Sequence, residues 1–171
     1  MFSSIKCKRA LFIIAGLVTA LVINSCKKTS ISSIQQLFTG GTWELASFQT
    51  IYYTGNQADS TVTDSSTCLN SQFFTFNTNN TCTYTNFDCI TQTSAAATWS
   101  LTGNQLFLQT SVVCKDTTKA GTSTPFAYAQ IMNLGIYSLV LNTGDIQPNY
   151  SLTAKRKVFV YGFIRQKGTT P

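Results

Sequence analysis

The sequence predicts an all-β domain: eight antiparallel strands in up-and-down order, closed into a barrel, with one short N-terminal helix. Three observations lead there. From Ala46 onward the chain is crowded with Thr, Asn, Ser and aromatic residues and carries few residue pairs at helical spacing, a composition that suits pleated sheet. It divides into eight segments of strand character. The connections between those segments alternate between short and long, which puts every tight turn at one end of a meander and every long loop at the other.

Before the barrel, Lys6, Lys8 and Arg9 precede fourteen uncharged residues, Ala10 to Ile23, and then Asn24, Ser25 and Cys26. This is the plan of a secretory signal peptide over residues 1–25. A membrane span needs about 20 apolar residues, and this run is shorter. Ile23-Asn24-Ser25-Cys26 resembles the lipobox of bacterial lipoproteins, although that pattern favours Ala or Ser at the position of Asn24 and Gly or Ala at that of Ser25. The resemblance implies that Cys26 becomes the lipidated first residue of the mature chain. Its acyl chains would make the membrane a partner, since two or more chains give stable attachment. Lys27 and Lys28 stand where an acidic residue would imply inner-membrane retention, so the resemblance implies the outer membrane of a Gram-negative cell envelope. Residues 26–30 read as a lipidated tether and 31–171 as the barrel domain, a single one at this length.

Within the domain, residues 31–38 read as a helical turn with Ile34, Leu37 and Phe38 on one side. Strands are expected at 43–53, 72–77, 81–87, 96–101, 105–113, 127–134, 138–142 and 158–166. Thr78-Asn79-Asn80 separates the second from the third, and Thr102-Gly103-Asn104 the fourth from the fifth; a few residues around Gly135 and Ile136 separate the sixth from the seventh. The other four connections run from about eight to eighteen residues, beyond ordinary hairpin loops. Strand count alone also fits a two-sheet sandwich. The alternation of loop lengths favours the barrel, which removes both sheet edges and at eight strands either holds one small ligand or fills with side chains.

A short helix leading into Gly41-Thr42-Trp43-Glu44-Leu45 resembles the Gly-x-Trp approach to the first strand of lipocalins. The hairpin from Thr98 to Leu106, and Ile131 to Leu141 after it, look like the lipocalin-like domains of many bacterial lipoproteins; the resemblance covers nearly the whole mature chain. It implies an Arg near the end of the last strand set against the first-strand Trp, and Arg165 matches. With an even number of strands the last one finishes where the first begins. Trp43 and Arg165 are then structural residues of the barrel base, with a cation-π contact of about 0.5–2 kcal/mol.

The chain contains no His, which excludes His-based general bases, Ser-His triads and the commonest transition-metal ligand. Glu44, Asp59, Asp64, Asp88, Asp116 and Asp145 form no motif, and neither a regular calcium loop nor a Gly-rich phosphate loop is present. No metal, cofactor or catalytic role is expected. The formal charge of +6 falls to +3 once residues 1–25, with three basic and no acidic residues, are removed. Lys155-Arg156-Lys157 reads as a solvated loop, and nucleic acid is not an expected partner.

Of six Cys, four remain after Cys7 leaves with the signal and Cys26 is lipidated. An oxidising compartment permits disulfides. If Thr78 and Asn79 form the tip of their hairpin, Cys68 and Cys89 come face to face and Cys82 faces Thr75. That predicts a Cys68–Cys89 disulfide; a bulge in either strand would shift the register by one, and Cys89 to Cys114 of the neighbouring loop is the alternative pairing. Cys82 near the sealed end and Cys114 near the mouth are not expected to pair; a reactive thiol at either would be the enzymatic reading. The loop 114–126 would be left free as a lid.

The same hairpin reasoning sets Trp99 and Leu101 with Leu108 and Leu106, and Met132 and Leu134 with Leu141 and Leu139. With Phe73, Tyr84, Phe159 and Tyr161, the residues Trp99, Leu101, Leu108, Met132 and Leu141 either line a pocket or plug the barrel. The first case describes a membrane-anchored binding module for a small apolar or amphipathic ligand. The alternative is a structural or adaptor lipoprotein whose long polar loops contact another envelope protein.

Overall fold

Ser32 caps a helix at the start of the described chain. Its hydroxyl accepts the Gln35 N–H and the Gln35 side-chain carbonyl accepts the Ser32 N–H, both at 3.2 Å, which satisfies two donors that a helix start leaves free. The helix, α1 (Ser33–Thr39), buries Phe38 completely. The computed structural model describes residues 32–64, 68 and 70–166. The signal segment, Cys26 and the tether lie outside the described residues.

The strands are β1 (Thr42–Thr54), β2 (Gln57–Asp64), β3 (Phe73–Phe76), β4 (Thr81–Thr85), β5 (Ala95–Leu101), β6 (Phe107–Thr110), β7 (Cys114–Lys115), β8 (Thr122–Ser123), β9 (Ala129–Leu134), β10 (Ser138–Gly144) and β11 (Lys155–Arg165). In the main sheet β1, β3, β4, β5, β6, β9, β10 and β11 follow one another, and β11 returns to pair with β1. That last pairing, antiparallel from Trp43–Arg165 to Thr54–Lys155, closes the eight-stranded barrel. It is the contact that a sandwich lacks.

Two departures from the expected strands shape the mouth. β1 pairs with β3 only over Thr42–Glu44, and from Phe48 to Thr54 the same side of β1 takes β2 instead. All eight residues of β2 are exposed, so the strand carries no burial pattern to announce it; its sequence signal is the Gly55-Asn56 turn, with Gly55 at φ +56°. β7 and β8 form a second small hairpin inside the long connection from β6 to β9.

Register decides which side chains enter the barrel. The β3–β4 turn holds three residues, with Asn80 at φ +63°, so Phe74 faces Tyr84 and Phe76 faces Cys82. Cys82 therefore does not face Thr75, and the shift of one residue turns Phe73 to the outer wall and brings Phe74 inside. The β5–β6 turn is longer than expected and pairs Leu101 with Leu108 and Trp99 with Thr110, leaving Leu106 exposed. A bulge in the β9–β10 ladder pairs Leu141 with Ile131 and pushes Met132 out to 54% exposure.

The base is sealed by aromatic packing. Phe38 of α1 meets Phe76 at 5.0 Å and Trp99 at 5.6 Å between ring centres, and Phe76 meets Trp99 edge-on at 5.3 Å. Both indoles are satisfied, Trp43 donating to the Phe38 carbonyl and Trp99 to the Asn77 carbonyl, each at 3.0 Å. The Arg165 guanidinium lies over the Trp43 ring, 4.5 Å from its centre, and donates to the Leu37 carbonyl.

Candidate functional site

Phe126 decides how much of the barrel is open. It arrives from the β8–β9 connection, and its carbonyl accepts both the N–H and the hydroxyl of Thr110, at 3.2 and 3.0 Å. The ring is fully buried against Phe74 at 5.0 Å, Tyr84 at 5.2 Å and Tyr161 at 4.9 Å. Below it the interior is solid. Tyr84, Trp99, Leu108 and Leu141, all named by the sequence, belong to this plug; Leu101 is half-buried among its neighbours.

Above Phe126 the side chains part. Two adjoining hollows of about 350 and 420 Å³ share Phe48, Phe87, Asp88 and Tyr161. Leu45, Asp64, Gln72 and Cys89 complete the first, and Asp116, Thr143 and Phe159 are among those added in the second. Of the expected lining residues only Phe159 and Tyr161 are here. Phe48 was missed because the β1–β11 ladder shifts between Leu45 and Ser47, so the inward set changes from Trp43 and Leu45 to Phe48 and Thr50. A bulge of this kind leaves no mark on composition.

The walls are held by a dense set of loop contacts. Asn86, Asp88 and Cys89 all adopt positive φ, at 56°, 54° and 59°, which coils the segment Phe87–Cys89 tightly over the mouth. A disulfide joins Cys89 to Cys68, the pair the sequence predicted, although the β3–β4 register from which it was predicted is shifted by one residue; their Cα atoms are 5.3 Å apart. Asp88 accepts the Thr117 N–H at 2.8 Å and the Thr117 hydroxyl, and Gln92 accepts the Lys115 N–H at 2.9 Å. The β6–β9 connection is thereby tied to the β4–β5 connection, and Val112, Cys114 and Phe126 anchor it in the core. It is not a free lid.

Polar groups at the floor are paired. The Tyr84 hydroxyl donates to Gln72 at 3.1 Å, and burial pushes its proton affinity well above that of an ordinary tyrosine. Burial also raises Tyr161, against the lowering effect of a hydrogen bond with Thr143. Asp116 accepts from the Thr118 N–H at 3.1 Å and hydroxyl at 2.6 Å. The Ser123 hydroxyl, with these bonds, holds its carboxyl below the usual range. The free thiols are buried: Cys82 is pushed up to about 11 by desolvation and Cys114 to about 12 by desolvation, with smaller effects from Asp116 and Cys82.

The family model of the lipocalin-like domain matches residues 39–141, more than half of the 171-residue chain, from the end of α1 into β10. The chain belongs to the lipocalin-like domain family. No curated protein matches it. A lipocalin-like barrel suggests binding of a small ligand in general terms, and here two hollows lined by described residues lie at the mouth.

Proposed function

We propose that this lipocalin-like chain is a binding module, not an enzyme, tethered by lipid on Cys26 to the outer membrane of a Gram-negative envelope, and that it takes a small apolar or amphipathic molecule in the hollow at its mouth. The observation that carries the reading is the unfilled upper barrel. Each hollow is of a size typical for small-molecule sites, with aromatic walls and a few fixed polar groups. An apolar occupant gains about 25 cal/mol for each Å² it removes from water, and the paired Tyr84–Gln72 floor asks nothing of it. Support for the anchor is the lipobox-like Ile23-Asn24-Ser25-Cys26.

The test is a titration of the full-length, delipidated protein with Nile red and with a lipid extract of its own envelope. Saturable binding that Tyr161→Ala weakens is expected; absence of any bound component refutes the reading. For the anchor, Cys26→Ser should abolish metabolic acyl labelling, and persistent labelling counts against it.

A second reading has one observation of its own. β2 is exposed along its whole length and pairs with β1 alone among the described strands, which suits contact with another envelope protein. Crosslinking in intact envelopes separates the two readings: one dominant protein adduct favours an adaptor.

A further inference from the structure

Charge among the lining residues is one-sided, with the Lys157 ammonium standing at the rim. Of the six acidic residues in the chain, Asp64, Asp88 and Asp116 line it, and neither Lys nor Arg is among the described lining residues. The carboxylates share the space with the rings of Phe48, Phe87 and Tyr161. Phe48 and Tyr161 stand 4.8 Å apart between ring centres, and Phe159 stacks on Phe48 at 6.1 Å. Ring faces carry negative potential, so rings and carboxylates act in the same direction on a ligand.

The protein already uses one of these faces in that way. At the rim, the Lys157 ammonium lies 4.8 Å from the centre of the Phe159 ring and 5.7 Å from that of Tyr52. An ammonium therefore sits on the aromatic cluster that continues into the hollow.

We propose that the hollow selects amphipathic cations: an ammonium head held between the aromatic faces and Asp88 and Asp116, with the apolar remainder against Leu45 and Phe48. This deepens the binding-module reading and rests on it. Partial exclusion of water strengthens the attraction over its value in bulk solvent, while an anionic head meets repulsion from the same groups. Asp88 and Asp116 are fixed by Thr117 and by Thr118, so the ligand does not have to order them.

The experiment compares three soluble probes with one tail on the full-length protein at low salt, by calorimetry: hexyltrimethylammonium, hexanol and hexyl sulfate. The ammonium should bind at least about tenfold more tightly than the alcohol, and the sulfate most weakly. Asp88→Asn and Asp116→Asn should each reduce that preference several-fold, the preference being the ratio of ammonium to alcohol affinity measured in the same variant. Both replacements keep the fold, since Asn tolerates the positive φ of position 88 and still accepts from Thr117 and Thr118; unchanged near-ultraviolet dichroism checks this. Equal binding of ammonium and alcohol, tightest binding of the sulfate, or a preference untouched in both variants overturns cation selection and leaves a binding module standing. Failure of all three probes, together with failure of Nile red and of the envelope extract, overturns both readings.

Discussion

Arg165 covers Trp43 from one side, its guanidinium 4.5 Å from the ring centre, while the indole N–H is spent on the Phe38 carbonyl at 3.0 Å. The pair clamps α1 across the base, because Arg165 also donates to the Leu37 carbonyl. Arg165→Ala should cost about 1–3 kcal/mol, combining the cation-π contact and one charged hydrogen bond. Arg165→Lys should recover only part, having no planar fork. Urea denaturation measures both; an unchanged midpoint for the Ala variant would remove the clamp from the account.

The Cys68–Cys89 bond spans 21 positions and pins the coiled segment over the hollow. In the chain-entropy estimate a loop of this size contributes about 3 kcal/mol, less any native distortion. The double variant Cys68→Ser/Cys89→Ser should lose that order of stability and bind Nile red more weakly, since Phe87 and Asp88 would no longer be held. Equal denaturation curves with and without reductant would contradict the first part.

Cys82, Cys114, Tyr84 and Tyr161 all hold their protons more tightly in the fold than an unfolded chain does. The folded state therefore binds more protons than the unfolded state once pH passes the ordinary thiol value near 9, and stability must fall as pH rises from there. Below that point the contribution is full and level. Unfolding free energy should be flat from pH 6 to 8 and decline above about 9. Iodoacetamide should leave both thiols unmodified in the native protein near neutral pH and label them in urea; rapid native labelling at either would contradict their burial.

Phe126→Ala removes the ring on which Phe87 and Tyr161 of the hollow's wall rest. The buried ring contacts Phe74, Tyr84 and Tyr161, so the loss should be about 3–5 kcal/mol. The space opened joins the hollow above, and longer-tailed probes should gain affinity over hexyl ones. Thermal melting and a tail-length series read the two effects separately.

Much of this architecture was legible because β1 and β11 are long and bounded by turns, and because the β3–β4, β5–β6 and β9–β10 turns all fall at one end. The contents of the barrel were harder to read. Whether Phe73 or Phe74 points inward depends on a single residue in the turn, and the extra Asn80 reverses the answer. Phe48 was missed and Met132 misassigned for the same kind of reason, a bulge in β1 and another between β9 and β10. β2 escaped because its stability comes from backbone pairing with β1 and not from an apolar face. Phe126 lies in a loop, where strand periodicity says nothing about direction.

A plug at Phe126 also sets a timescale. An occupant of the space above it stays beside solvent, so leaving requires neither strand separation nor the opening of a sealed chamber. Association at ordinary rates of about 10⁵–10⁷ M⁻¹ s⁻¹, with modest affinity for a small apolar guest, gives residence times of milliseconds to seconds. Deep barrels store what they carry for long periods. A shallow one exchanges its cargo quickly with whatever faces its rim.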